Sequence, residues 1–168
     1  MKKNKMKKKK AIKMMKKTGF TLIELLLFIT VIAILASVGV VAYNGYTGAA
    51  KVSATKTIHA QTVKSISAEV AKCELDKTSI VYGNLNCSSL NPNSLALAAS
   101  KNSNDVNPYD TYIKAVITKK NLDLSNSKLL GHIVLHSGSD EESLYITTFF
   151  DADLEKDFLT KSIKIKIK

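Results

Sequence analysis

The chain has 168 residues, is 45% hydrophobic and carries a formal net charge of +11. That length makes one domain the default. The charge is confined to one end: residues 1–19 hold ten lysines and no acid, whereas the chain from Phe20 onward holds 15 basic residues against 14 acidic ones. The folded part is therefore near neutral, and bulk charge gives it no case for nucleic-acid binding. No nucleophile–base set and no Gly-rich phosphate loop is present, so an enzyme has no supporting residues.

Residues 1–17 are a lysine-rich, low-complexity segment, expected to be solvated and disordered. Met14 and Met15 offer alternative translation starts. Thr18-Gly19-Phe20 follows, and then an apolar run with a single carboxylate, Glu24, at its start. From Leu25 to Ala50 there are 26 positions without a charged residue, and a membrane-spanning helix needs about 20. The lysine flank stays cytoplasmic under the positive-inside rule, so the carboxy-terminal part is expected outside. An ordinary secretory signal places its small-residue cleavage site after the apolar region. Here Gly19 stands before it, so a cut between Gly19 and Phe20 removes the charge and keeps the helix. Cleavage at Gly48-Ala49-Ala50 by an ordinary signal peptidase requires an unusually long apolar region. An acid within a membrane helix costs roughly 2.5–3.5 kcal/mol at the bilayer centre and less near the edge. Glu24 therefore calls for a partner, and the nearest positive charge after such a cut is the new amine of Phe20, at the positive end of the helix dipole. The bland alternative is that Glu24 only favours the helix amino terminus.

The segment Lys17-Thr18-Gly19-Phe20-Thr21-Leu22-Ile23-Glu24-Leu25 resembles the prepilin-type cleavage and methylation motif of the type IV pilin family and its pseudopilin relatives. Val41-Ala42-Tyr43-Asn44-Gly45-Tyr46 is similar to the family's Pro-Ala-Tyr-x-x-Tyr segment, with Val41 where many members have proline. The resemblance covers residues 16–50 and is only architectural beyond them. It implies a membrane prepilin peptidase/methyltransferase as partner, which cuts after Gly19 and methylates the amine of Phe20. It also implies insertion in the cytoplasmic membrane as a single-pass prepilin with the head outside. Assembly machinery then builds a helical polymer of identical or related subunits, an extracellular pilus or a periplasmic pseudopilus, in which the Phe20 amine of one subunit meets Glu24 of another. Major or minor pilin, with roles in adhesion, motility or DNA uptake, and pseudopilin of a type II secretion system all share this reading. An ordinary single-pass membrane-anchored binding protein is the rival from another class. Where the family proline accompanies local helix melting in the filament, Gly39 and Gly45 are the candidates here. Gly45 and Gly48 are equally candidates for close packing.

The expected fold is α+β: a long amino-terminal helix, transmembrane in its first half, packed on a small antiparallel β-sheet head, as in pilins. The divisions are a leader over 1–19, a transmembrane and filament-core helix over 20–50, and a globular head over 51–168. Val52, His59, Val63, Ile66, Val70 and Cys73 recur at intervals of three or four, with Lys56 interrupting between Val52 and His59, which predicts one continuous helix from about 21 to 73 with that stripe on the head. Residues 78–91 read as a loop. Ser94–Lys101 reads as a short helix capped by Asn93. Period-two patterns predict strands at 112–118, 130–136 and 143–150, with a hairpin-like connection over 137–142. The tail 162–168 alternates Ile and Lys, with the Ile face inward and the Lys face blunting a sheet edge.

Cys73 and Cys87 both follow the membrane segment and are expected to be bridged in an oxidising compartment. Their 14-residue separation corresponds to about 3 kcal/mol of unfolded-state entropy. They lack neighbouring ligands at zinc spacing, and His59, His132 and His136 have no matching third ligand, so no metal is expected. Asp151, Asp153, Glu155 and Asp157 alternate in an acidic segment. It lacks the glycine and closing glutamate of an EF-hand and reads as a surface loop. The resemblance to major pseudopilins, which bind calcium in a carboxy-terminal loop, is the one route to a cofactor, calcium at 151–157.

Overall fold

A computed structural model describes residues 19–120, 122, 129–150 and 157–165. It comprises two compact units, Met1–Ala42 and Tyr43–Lys168. Helix α1, Leu22–Leu75, belongs to both. It contains no proline, and it runs through Gly39, Gly45 and Gly48 without a break in this single chain. It ends where Asp76 turns its carboxylate back on the following backbone: Thr78 N–H donates to Asp76 Oδ1 at 2.9 Å. Such an Asx turn competes with helix continuation.

In the first unit every apolar residue from Phe20 to Val41 is exposed, and the helix is long and apolar enough to cross a membrane. In the second unit α1 buries one stripe: Thr55, Thr62, Ile66, Val70 and Cys73. The expected stripe thus holds from Ile66 to Cys73. Upstream, Val52, His59 and Val63 are only half-buried, and the deepest positions are threonines. Thr55 is fully buried because its hydroxyl donates to the carbonyl of Lys51 at 2.9 Å, which satisfies the polar group inside the helix itself.

The head is built on α1 from short elements. Strands β1 (Ile80–Val81) and β2 (Leu85–Asn86) form a hairpin within the segment read as loop, and a 3₁₀ turn at Cys87–Ser89 follows. Helix α2 spans Pro92–Asn102. Its cap is Asn91, not Asn93. Asn91 accepts from Ser94 N–H at 2.8 Å, while Asn91 N–H donates to Ser94 Oγ at 3.1 Å. Pro92 then occupies the first helical position, where its missing N–H costs nothing.

The predicted strand 112–118 divides in two. Strand β4 (Asp110–Lys114) pairs antiparallel with β3 (Val106–Asn107), whereas β5 (Val116–Thr118) joins another sheet. The junction is Ala115, fully buried, with its N–H on Asp105 and its carbonyl receiving Ile133 N–H at 2.9 Å. An unbroken strand cannot serve both partners at once. Strands β6 (Ile133–Ser137), β7 (Ser143–Phe149) and β8 (Phe158–Lys164) complete a four-stranded sheet in the order β5-β6-β7-β8. The β6–β7 and β7–β8 ladders are antiparallel as expected, but β5 runs parallel to β6. Strand β8 starts four residues before the predicted tail strand. Its Ile163 and the following Ile165 pack into the core as anticipated, and residues 166–168 lie outside the described residues.

The main core gathers Ile66 and Val70 of α1, Leu95 and Ala99 of α2, and Ile133, Leu135, Leu144 and Ile146 of the sheet. The opposite sheet face buries Val134 and Phe149 against Leu129. Covering on both faces explains why Ile133-Val134-Leu135 is a continuous apolar run instead of an alternating one.

Candidate functional site

The predicted processing and assembly residues all lie at the start of α1. Gly19 and Phe20 precede the helix in exposed chain without regular secondary structure. A side chain at Gly19 would meet nothing within 4 Å. The Phe20 ring stands edge-on to Phe28, two turns along, with centroids 6.2 Å apart.

Glu24 is exposed and is held by the backbone it follows. Thr21 N–H donates to Glu24 Oε2 at 2.8 Å, and Thr21 Oγ1 donates to the same oxygen at 2.7 Å. Glu24 N–H points at Thr21 Oγ1 at 3.4 Å. This is a capping box: Thr21 is the cap, Leu22 the first helical residue and Glu24 the third, and two otherwise orphaned donors are satisfied reciprocally. The Thr-x-x-Glu spacing stood in the sequence as its signal. Among the described residues Glu24 Oε1 accepts no hydrogen bond, so half of the carboxylate remains open.

Beyond Glu24 the apolar residues from Leu25 to Val41 are all exposed; among the described residues the Phe20 ring against Phe28 is the one ring contact they make. An all-round apolar helix is stable only when covered, by lipid or by other helices. Tyr43 and Tyr46 are both exposed. Gly39, Gly45 and Gly48 have no side-chain neighbour within 4 Å.

Cys73, in the last turn of α1, is bonded to Cys87 at the start of the 3₁₀ turn, with Cα atoms 5.2 Å apart. Both lie within the main core. The bridge ties the β1–β2 hairpin to the end of α1.

The three histidines are separated by their partners. His59 Nδ1 lies 2.8 Å from Thr148 Oγ1, joining α1 to β7. Buried His132 lies 3.2 Å from the carbonyl of Ala115. His136 stacks on Tyr145 at 5.5 Å and contacts Thr147. Burial pushes all three imidazoles below the usual histidine range. Among the described residues no three His, Cys, Asp or Glu side chains converge as a metal would require. Residues 151–156 of the acidic segment lie outside the described residues.

Neither a search of curated proteins nor one of solved structures returns a match to the chain. Residues 14–40 match the family model described as the prokaryotic N-terminal methylation motif. The matched stretch contains Gly19, Phe20, the Thr21–Glu24 cap and the exposed apolar half of α1. With an α+β head formed around the second half of the same helix, this chain carries the signature of the type IV pilins and pseudopilins.

Proposed function

We propose that the chain is a structural subunit of a type IV pilus-like filament, anchored in the cytoplasmic membrane before assembly. The observation that carries this reading is the methylation motif at residues 14–40, which runs into a helix whose apolar half is exposed throughout. A prepilin peptidase cuts after Gly19 and methylates Phe20. Residues 1–19 are then the leader, 20–50 the membrane and filament-core helix, and 51–168 the head. Removal of the leader takes away ten lysines and leaves the mature chain nearly neutral, so the tether to the cytoplasmic face is lost as the polymerising amine appears. The work of the subunit is mechanical: lateral packing of apolar helices supplies cohesion, and the head faces outward. No step of this calls for a bound cofactor.

Mass spectrometry of the mature amino terminus tests the reading. A chain beginning at N-methylated Phe20 is expected. An intact leader, or a chain beginning near Lys51, overturns it and leaves a membrane-anchored or secreted binding protein. A pseudopilin of a secretion system shares the motif and the helix. Calorimetric titration of the full-length chain with calcium separates the two, since a heat of binding lost when Asp151 and Asp153 are replaced by Asn assigns the acidic segment the pseudopilin role.

A further inference from the structure

A small cavity of mixed polar and apolar lining opens between α1, the β1–β2 turn and the end of α2. Its volume is about 230 Å³, and Gln61, Thr62, Ser65, Tyr82, Asn102 and Asp105 contribute to its wall. Roughly 300–1,000 Å³ is usual for a site that takes a drug-sized ligand, so this one suits a single small ring. Three features set it apart from a chance gap.

The first is Thr62. It is only 8% exposed, yet its hydroxyl makes no hydrogen bond among the described residues. Thr55, two turns earlier on the same stripe, returns its hydroxyl to the Lys51 carbonyl. Thr62 is part of the cavity wall, so its hydroxyl is left free to hydrogen-bond whatever fills the cavity. The second is Tyr82, which has φ +49°, with Gly83 at +74° and Asn84 N–H returning to the Val81 carbonyl. Positive φ at both central positions is the type I′ arrangement, which favours Asn-Gly; a bulky tyrosine there is backbone strain. The strained residue is the one that walls the cavity with an aromatic ring, and its hydroxyl is fixed by Ser65 Oγ at 3.1 Å. The third is the set of open valences. Asn102 uses its amide N–H groups on the carbonyls of Tyr82 and Ala98, leaving Oδ1 as an acceptor. Asp105 takes Ser103 Oγ on Oδ2 and keeps Oδ1 open. Among the described residues the Gln61 side chain makes no hydrogen bond.

Among the described residues no lysine lines the wall, which disfavours phosphate, sulfate or a carboxylate. Amides, hydroxyls and one carboxylate beside an aromatic ring match the alternating donors and acceptors and the apolar C–H face of a sugar. We propose that this cavity binds one neutral sugar residue, either as a free monosaccharide or as the terminal residue of a glycan.

The test uses the full-length chain in a detergent without a sugar headgroup. Saturation-transfer NMR is run with N-acetylglucosamine, galactose and glucose, as free sugars and as methyl glycosides, with inorganic phosphate as control. Millimolar binding of at least one sugar is expected, weakened about tenfold by Thr62→Val and by Asp105→Asn. Thr57→Val, exposed on the same helix, leaves it unchanged. Equal binding of the glycoside points to a glycan terminus, and binding of the free sugar alone points to a monosaccharide; either supports the site. Asp105→Asn changes a half-buried side chain that is not in the core and keeps the test informative should Thr62→Val unfold the head. No sugar binding, binding of phosphate instead, or binding indifferent to both substitutions overturns the proposal. None of these outcomes bears on whether the chain assembles into a filament.

Discussion

The bridge between Cys73 and Cys87 invites a quantitative test. It closes a 14-residue separation, and on the chain-entropy model a loop of that size removes about 3 kcal/mol from the unfolded state. A domain is stable by only about 5–15 kcal/mol, so this is a large share. The loop holds the β1–β2 hairpin and the 3₁₀ turn; its own backbone ties include Cys87 N–H to the Ser79 carbonyl at 3.1 Å. Those ties are too local to replace the covalent link. A head of this size shifts by about 4 °C per kcal/mol, so reduction is expected to lower its melting temperature by about 12 °C. The double variant Cys73→Ala/Cys87→Ala should lose at least as much, because both sulfurs are buried in the main core and their removal leaves a void. The assay is thermal unfolding of the full-length chain in detergent, followed by near-ultraviolet circular dichroism, to which the head contributes four of the six tyrosines, Tyr82, Tyr109, Tyr112 and Tyr145. Two reactive thiols in the exported, folded chain, or a shift below about 3 °C, would refute the reasoning and mean that the core alone holds the hairpin in place.

Other substitutions test the packing of the head. Gly131→Ala should destabilise it by about 3 kcal/mol in chemical denaturation, because φ is +76° and a Cβ would stand 2.1 Å from Asn107 Oδ1, adding overpacking to backbone strain. Asn91→Ala should cost about 1 kcal/mol by removing the cap of α2, and Asn91→Asp should restore most of it. Acidification should loosen the sheet from α1. His59, His132 and His136 are held neutral by burial, so the folded chain binds their protons less tightly than the unfolded chain. Their contribution is fully present above the free-histidine value near 6.5 and is lost as pH falls below it towards the depressed folded values. Denaturation midpoints between pH 7.5 and 5 should show this, and His59→Gln should flatten the dependence.

Two kinds of signal separate what could be read in the chain from what could not. The start of α1 was legible because 26 successive positions without a charged residue favour one long apolar helix, and the helix runs through all of them. The lower helix stripe was legible where it was apolar, at Ile66, Val70 and Cys73. It was invisible at Thr55 and Thr62, since a hydropathy pattern scores threonine as surface while its methyl group packs inside. The Asn93 cap was one choice among neighbouring asparagines, and Pro92, which fits the first helical position, was the clue that Asn91 precedes it. The division at Ala115 and the parallel pairing of β5 with β6 depend on which distant strand each segment meets. No local period encodes that. The β1–β2 hairpin was hidden because its turn carries Tyr82 where Asn is favoured.

The Thr21–Glu24 box changes how the acid must be tested. A bare Glu24→Ala substitution removes a helix cap and a charge together, so failure to assemble would not identify the cause. The cap uses Oε2 only, and glutamine can supply the same acceptor at the third helical position. Glu24→Gln therefore keeps the cap and removes the charge. Thr21→Ala keeps the charge and removes the cap, at a helix cost of about 1 kcal/mol. If Glu24 pairs with the methylated amine of a neighbouring subunit, Oε1 is the oxygen free to do so. Glu24→Gln should then abolish filaments while cleavage after Gly19 continues, and Thr21→Ala should assemble with at most a modest loss. Electron microscopy of sheared filaments and mass spectrometry of the amino terminus read the two steps separately. Normal filaments from Glu24→Gln together with none from Thr21→Ala would show that the carboxylate matters as a cap, and that the register of the polymer is set elsewhere along the apolar helix.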